Sequence, residues 1–154
     1  MQAKLVTMEA EPVPSDVVDS LVLASFTVIA LLSRVAAEHD LSLTQVRVLA
    51  ILRDREPTMA ELADYLGLER SSVSGLIDRA VRRGLVRRDA SEDDGRAVRV
   101  SLTPDGRRLA SAGAQEVGEL LEPMTGRLSQ AERNRLSLLL GKLLGWPRAF
   151  KASN

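Results

Sequence analysis

The alternation of apolar and polar positions predicts helices over most of this 154-residue chain. In the first, from Ser15 to about Glu38, apolar residues recur at helical spacing, and neighbouring apolar positions widen the stripe beyond one face. We expect this helix to be buried on several sides. The residues before it, which include two prolines, are typical of a frayed tail.

Three later helices are predicted by one local signature, a Ser or Thr followed three residues later by Gln or Glu. In such a capping box, the hydroxyl and the later side chain satisfy backbone N–H groups at the start of a helix. Helices should therefore begin near residues 43, 59 and 130. The pairs are Ser42 with Gln45, Thr58 with Glu61, and Ser129 with Glu132.

Two further helices and a hairpin complete the predicted order. The stretch "ERSSVSGLIDRAVRR" has helical periodicity and stops at Gly84, and Thr103-Pro104 begins another helix that runs to about Arg127. Between them the period changes to two, so "LVRRD" and "AVRVSL" are typical of strands, with "ASEDDG" as the hairpin tip. The last helix should end near Leu144.

The helix that follows the turn "YLGLERSS" has two chemically different sides. One side carries apolar residues at positions 73, 76, 77 and 80. The other carries short hydroxyls, a glycine, an aspartate and arginines, namely Arg70, Ser71, Ser74, Gly75, Asp78, Arg79 and Arg82. This surface suits close approach to phosphates and base edges in a DNA major groove. An ordinary solvated helix face is the alternative, because any surface helix is polar opposite its apolar stripe.

Charge favours the DNA-binding interpretation. Basic and acidic side chains balance at 21 each, yet the segment from Arg70 to Arg88 holds six arginines against one acid, Asp78. The part of the chain before this segment is acidic. A cationic cluster on the helix–turn–helix and hairpin unit is what nucleic-acid binding requires.

Several other classes of function are disfavoured by residue content. The chain has no cysteine and one histidine, His39, which excludes thiol chemistry and histidine-rich metal sites. "DASEDDG" lacks the glycine and glutamate positions of a calcium loop, and "SSVSG" lacks the frame of a nucleophile elbow. We therefore expect no enzyme activity, no catalytic or metal site and no cofactor. For His39 we expect a contact at a helix C-terminus or exposure to solvent.

Cellular location is predicted from the N-terminal half. The first residues do not form a signal peptide, and polar residues interrupt the apolar stretch between positions 17 and 35. These features predict a soluble cytoplasmic protein with no membrane partner.

A longer pattern points to a known family. The segments "ELADYLGLERSSVSGLIDRAVRRGLVRR" and "DDGRAVRVSLTPDG" resemble the DNA-binding core of the MarR family of bacterial transcriptional regulators, over roughly residues 41–109. The resemblance implies a mostly α fold with a small β-hairpin wing. Residues 41–103 would form a winged helix-turn-helix core, flanked by helical dimerisation regions at 15–40 and 104–146 in a single domain.

The resemblance also implies a function. A homodimer would bind a pseudo-palindromic operator in double-stranded DNA, as a repressor that responds to a small aromatic or amphipathic effector. Leucine- and valine-rich terminal helices, including "RLSLLLGKLLGW", agree with a shared dimer core. The effector pocket would lie between these helices and the DNA-binding unit, with mainly aliphatic walls because only 3% of residues are aromatic. The runner-up is a protein-interaction module in which the winged helix never touches DNA, and a third possibility is a DNA-binding protein with no effector.

Residue roles follow from the family pattern. The predicted DNA-binding residues are Arg70, Ser71, Ser72, Ser74, Gly75, Arg79, Arg82, Asp94 and Arg96. In the wing, the resemblance implies that Arg96 enters the minor groove while Asp94 holds its guanidinium in place. The chain departs from its relatives at Gly75, where many have a base-reading side chain, and at Val46, where a tryptophan is common.

Overall fold

The computed structural model describes residues 16–92 and 95–145. Over this part of the chain, helices α1 to α4 precede a two-stranded antiparallel hairpin, and α5 and α6 follow it. Their bounds are α1 Val17–Glu38, α2 Leu43–Asp54, α3 Met59–Leu66, α4 Arg70–Arg82, β1 Val86–Ala90, β2 Val98–Leu102, α5 Pro104–Thr125 and α6 Gln130–Leu143. The predicted order and fold class are confirmed, with element ends displaced by one or two residues.

The helix starts agree with the capping signals. At Ser42, Thr58 and Ser129, both hydrogen bonds of the capping box are present. Thr103 caps α5, with Pro104 in the first turn where the missing N–H costs no hydrogen bond. Gly67 ends α3 in the left-handed conformation at φ 65°, which a glycine adopts without steric cost.

The core lies inside the helix–turn–helix and hairpin unit. It is built from one apolar face of each of α2, α3 and α4 together with the inward residues of the hairpin. Its most deeply buried large side chains include Leu52, Leu62, Val73, Ile77 and Val100. The four apolar positions predicted for the buried side of α4 are all in this core.

The hairpin is anchored to the segment that precedes α3. The Val100 N–H donates to the Pro57 carbonyl at 2.9 Å, and Arg99 Nη1 donates to the Glu56 carbonyl at 2.8 Å. Thr58 forms an isolated antiparallel bridge with Arg99. The wing is therefore held by hydrogen bonds to the segment before α3, in addition to its covalent connections to α4 and α5.

Helix α1 differs from expectation in two ways. Only Val35 and Ala36 of α1 are fully buried, although we expected burial on several sides, because within one chain α1 packs mainly against α2 and α5. Many of its other apolar side chains, among them Phe26 at 66% exposure, face outward, and Leu31 and Leu32 are half-buried. By length and composition α1 could also span a membrane, so the expectation that its polar residues exclude a span is wrong by that measure. Buried helices of soluble proteins have the same composition.

Candidate nucleic-acid interface

Helix α4 presents its polar side outward over about 20 Å. Val73 and Ile77 are completely buried beneath it, so the helix cannot rotate about its axis without exposing the core. On the outer side, every predicted DNA-binding position of α4 is exposed or half-exposed. The packing thus holds these side chains on a single accessible surface, which we call the α4 outer face: residues 70, 71, 72, 74, 75, 79 and 82.

The first turn of α4 is open to an anion. Its N-cap residue, Glu69, makes no side-chain capping hydrogen bond, in contrast to the three capping boxes elsewhere in the chain. The first N–H groups of a helix have no partner within the helix, and they carry partial positive charge. Together with the exposed residues Arg70, Ser71 and Ser72, they form a surface that suits a phosphate group.

Gly75 lies in the middle of the α4 outer face and is covered by its neighbour one turn later. Nη1 of Arg79 lies 3.6 Å from the position that a Cβ on Gly75 would occupy. The Arg79 guanidinium is therefore in van der Waals range of the surface that Gly75 leaves bare. In this chain, the cation nearest to position 75 on the α4 outer face is Arg79.

The six arginines between positions 70 and 88 do not form one surface. Arg83 points away from the α4 outer face and donates to the carbonyl oxygens of Asp40 and His39 at 2.8 and 3.2 Å, which ties α4 to the end of α1. Arg87 pairs with Asp89 along β1 at 3.0 Å. Within the described residues, no hydrogen bond or ion pair engages the arginines that remain available to DNA on α4, namely Arg70, Arg79 and Arg82.

The sixth arginine connects the wing to α4. In the hairpin, Arg88 lies opposite Val100 and two residues after Val86, so it lies on the hairpin face that packs against α4. Its Nη1 is 2.7 Å from Oδ1 of Asp78, and its Nη2 donates to the Ser74 carbonyl at 3.4 Å. Sequence reasoning missed this role of Arg88; its alternation with Val86 was the available signal.

The tip of the wing is described only in part. Arg96 is exposed, which agrees with its predicted groove contact. Asp94, which we expected to hold Arg96, lies outside the described residues. On the outer side of the hairpin, Ser101 accepts a hydrogen bond from Arg87 at 2.9 Å and donates one to Asp89 at 3.2 Å. This network stiffens the strands that carry the tip.

A cavity of about 230 Å³ lies behind the DNA-binding unit, where α1, α2 and α5 meet. Its walls are almost entirely aliphatic, and no aromatic residue lines it. The lining residues are Leu32, Val35, His39, Leu41, Val46, Leu49, Ala50, Arg53, Leu109, Ala110, Gly113, Ala114 and Val117. This is the place and the wall chemistry that the sequence predicted for a pocket, and Val46 is part of the wall.

Both ionisable lining residues are paired with carboxylates of the protein. Nε and Nη2 of Arg53 each donate to Asp54 at 3.1 Å, and this raises the pKa of the guanidinium. Nε2 of His39, at the C-cap of α1 as expected, lies 2.9 Å from Oε2 of Glu116 in α5. Hydrogen bonding with Glu38, and then with His39, lowers the pKa of Glu116 below its ordinary value.

A helix–turn–helix whose last helix has a free cationic side, joined to a β-hairpin, defines a winged helix-turn-helix DNA-binding protein. Residues 39–97 match the model of the MarR family. The chain is 31% identical over 116 residues to the multiple antibiotic resistance protein MarR of Salmonella typhimurium, which covers 74% of this chain and 81% of that protein. It therefore belongs to the MarR family, and it is a DNA-binding transcriptional regulator.

Solved structures agree with this assignment. Wild-type MarR from Escherichia coli, in its apo form, matches with a TM-score of 0.70 and 28% identity, covering 88% of this chain and 99% of that one. Bordetella bronchiseptica BpsR, whose DNA binding is regulated by 6-hydroxynicotinic acid, matches with a TM-score of 0.67 and 27% identity. That match covers 86% of this chain and 96% of the BpsR chain.

Proposed function

We propose that the protein is a homodimeric repressor that places α4 of each subunit in successive major grooves of a pseudo-palindromic operator. The observation that carries this proposal is the α4 outer face, on which the side chains of three arginines have no partner among residues 16–92 and 95–145, while the opposite side is locked into the core. Cations that no protein carboxylate neutralises are the ones that can replace counterions on DNA phosphates.

Each residue of the interface has a role in this proposal. Arg79 and Arg82 neutralise phosphates, and Ser74 and Gly75 allow the helix backbone to approach the groove closely. Arg70 and Ser71 contact base edges, with Ser72 beside them at the phosphate-binding first turn. In the wing, Arg96 enters the minor groove and Asp94 holds it there.

Dimerisation uses the terminal helices. Apolar side chains of α1 and α6 that one chain leaves exposed include Val22, Phe26, Ile29, Leu139 and Leu143. An apolar surface of this extent on a soluble protein marks an interface. A second copy of the chain that interleaves the same helices would bury α1, which accounts for its composition without a membrane. The regions 15–40 and 104–146 then form the shared base of a soluble, cytoplasmic dimer.

The cavity is the effector site in this proposal. It touches α2 of the DNA-binding unit on one side and α1 and α5 of the dimer base on the other, so a bound molecule changes how these parts pack. Regulation of BpsR by 6-hydroxynicotinic acid supports a small aromatic effector, but the carboxylate of that compound is a property of the BpsR ligand and is not part of the proposal for this chain. An effector of this kind would bind the DNA-free arrangement more tightly and thereby release the operator.

Selection of DNA fragments that the full-length protein retains, followed by binding titrations at several salt concentrations, tests this proposal. We expect an enriched inverted repeat, bound as a dimer, with an affinity that falls steeply as salt rises. A panel of small aromatic compounds is then added to the complex to detect release. Lack of enrichment, together with DNA retention no stronger than that of a neutral protein, would instead favour a protein-interaction module.

A further inference from the structure

The cavity behind the DNA-binding unit has a preference for ligand charge that follows from how its ionisable residues are paired. Arg53 and His39 are the two ionisable residues among its lining residues, and a carboxylate outside the lining holds each of them. The rest of the wall is aliphatic side chain and glycine. From this pairing we infer that the cavity selects uncharged, apolar molecules of about bicyclic size over carboxylates of the same shape. The inference rests on the proposed effector role of the cavity and deepens it.

The pairing of Arg53 decides the charge preference. Asp54 takes the Nε–Nη2 edge of the guanidinium, which is the geometry that a ligand carboxylate would need for two parallel hydrogen bonds. A ligand anion would have to displace Asp54, or else lie beside it with two negative charges on one cation. Either arrangement reduces the gain from binding an anion, and the Arg53 and Asp54 side chains, which are 41% and 47% exposed, leave that gain modest from the start.

His39 gives an anion no better partner. Its Nε2 lies 2.9 Å from Oε2 of Glu116, a carboxylate whose pKa is lowered by hydrogen bonding with Glu38 and then with His39, so a second carboxylate at this end of the cavity would be repelled. An uncharged molecule meets neither penalty, and it gains from the removal of its apolar surface from water. A hydroxyl on such a molecule could still hydrogen-bond with the outer nitrogen of Arg53, which Asp54 leaves unused.

The size of the ligand follows from the cavity volume. An engineered apolar cavity of about 150 Å³ holds benzene, and the present cavity measures about 230 Å³. Much of this space exists because α5 carries Ala110, Gly113 and Ala114 where it crosses α2. A Cβ added to Gly113 would have no atom within 4 Å, so a larger side chain at this position can enter the cavity.

The test compares two compounds of matched shape, 2-naphthalenemethanol and 2-naphthoate, by calorimetry at pH 7.5 on the DNA-free protein. We expect the alcohol to bind at least tenfold more tightly than the carboxylate. Equal binding, tighter binding of naphthoate, or no binding of either compound would overturn the inference. Because no DNA is present, these outcomes are independent of whether the protein binds an operator.

Variants test the reason for the selectivity. Asp54→Asn removes the negative charge from the Nε–Nη2 edge of Arg53 without a change of shape. It should therefore raise the affinity for naphthoate at least fivefold and leave the affinity for the alcohol unchanged. Asp64→Asn removes an exposed acid on α3, a helix that contributes no residue to the cavity lining, and should change neither. Naphthoate affinity that stays the same in Asp54→Asn would overturn the role assigned to Asp54.

The location of binding is tested separately. Gly113→Leu should abolish binding of both compounds by filling the cavity, and Ala114→Leu repeats the test if the first variant fails to fold. Affinity that is unchanged in a folded cavity-filling variant would place the compounds elsewhere and overturn the inference.

Discussion

The carboxylate of Asp78 on α4 lies 2.7 Å from the guanidinium of Arg88 on β1, and this ion pair connects the recognition helix directly to the wing. Both side chains are partly exposed, so the pair contributes little to stability, about 0.2–1 kcal/mol for pairs of this kind. Its importance lies in geometry. In the proposed complex an operator engages the α4 outer face and the wing at the same time, and the pair fixes the position of one relative to the other.

Asp78→Ala should therefore weaken operator binding although it removes a negative charge from the DNA-binding side. Ordering the released Arg88 and the wing on docking costs about 0.5–1.5 kcal/mol, which is roughly a 2- to 10-fold loss of affinity. Binding to random-sequence DNA should stay the same or tighten, because charge dominates there. Titration of both DNAs at one salt concentration measures the difference.

Asp64→Ala is the control: it removes an exposed acid at the turn and should tighten both. Equal tightening of both DNAs by Asp78→Ala would contradict the linking role.

The neighbours Arg82 and Arg83 should behave differently although they are chemically identical. Arg82→Ala removes a free cation from the α4 outer face, so it should weaken all DNA sequences alike and lower the slope of log affinity against log salt by about one unit. Arg83 is held by the carbonyls of residues 39 and 40. Arg83→Ala should lower thermal stability and leave the salt slope unchanged. A change of slope in both variants would show that Arg83 also reaches DNA.

Asp94→Ala distinguishes a support for Arg96 from a merely solvated acid. Removal of a carboxylate near DNA should tighten binding if charge alone matters. If Asp94 holds Arg96, the same change should weaken binding by about 0.5–1.5 kcal/mol. The double variant with Arg96→Ala should then equal the Arg96→Ala single variant, because the support has nothing left to hold. Titration of the operator at fixed salt measures these affinities. If Asp94→Ala binds as tightly as wild type or more tightly, Asp94 does not hold Arg96 in place.

If the terminal helices form the proposed dimer, Leu139→Glu should convert it to a monomer. Leu139 belongs to the apolar stripe of α6, together with positions 136, 140 and 143, and it is 55% exposed in one chain. A carboxylate buried without a partner in a shared core is strongly unfavourable. Leu138→Glu, on the other side of the same helix, is the matched control and should remain dimeric. Light scattering at micromolar concentration measures both, and a dimeric Leu139→Glu protein would contradict the assigned interface.

The capping box of α3 should make stability depend on pH. The backbone N–H of Thr58, and then its hydroxyl, lower the pKa of Glu61 below its ordinary 4.5. The ionised group therefore contributes stability above its unfolded pKa, and this contribution is lost as pH falls through the lower folded pKa. Urea unfolding of Glu61→Gln, which retains the box geometry, should show less loss of stability from pH 6 to pH 3.5 than wild type. Glu119→Gln, on the exposed side of α5, should follow the wild-type curve.

Local patterns in the sequence were sufficient for the elements and for the exposed polar side of α4. A capping box acts over four residues, so Ser42, Thr58 and Ser129 could be recognised as helix starts without knowledge of any distant contact. The two sides of α4 follow from its 3.6-residue period in the same way. Its apolar positions could pack in only one direction, and the polar positions were consequently assigned to the outer face correctly.

Contacts between segments far apart in the chain were decided only by the tertiary structure. Arg82 and Arg83 are adjacent and identical in type, yet Arg83 finds backbone carbonyls more than forty positions away in the chain while Arg82 finds none. The Asp78–Arg88 pair and the cavity that α1, α2 and α5 enclose arise similarly from the packing of separate elements. Periodicity specifies which side of an element is apolar. The partner that a polar side chain meets depends on how the elements pack, and no single stretch of this sequence contains that information.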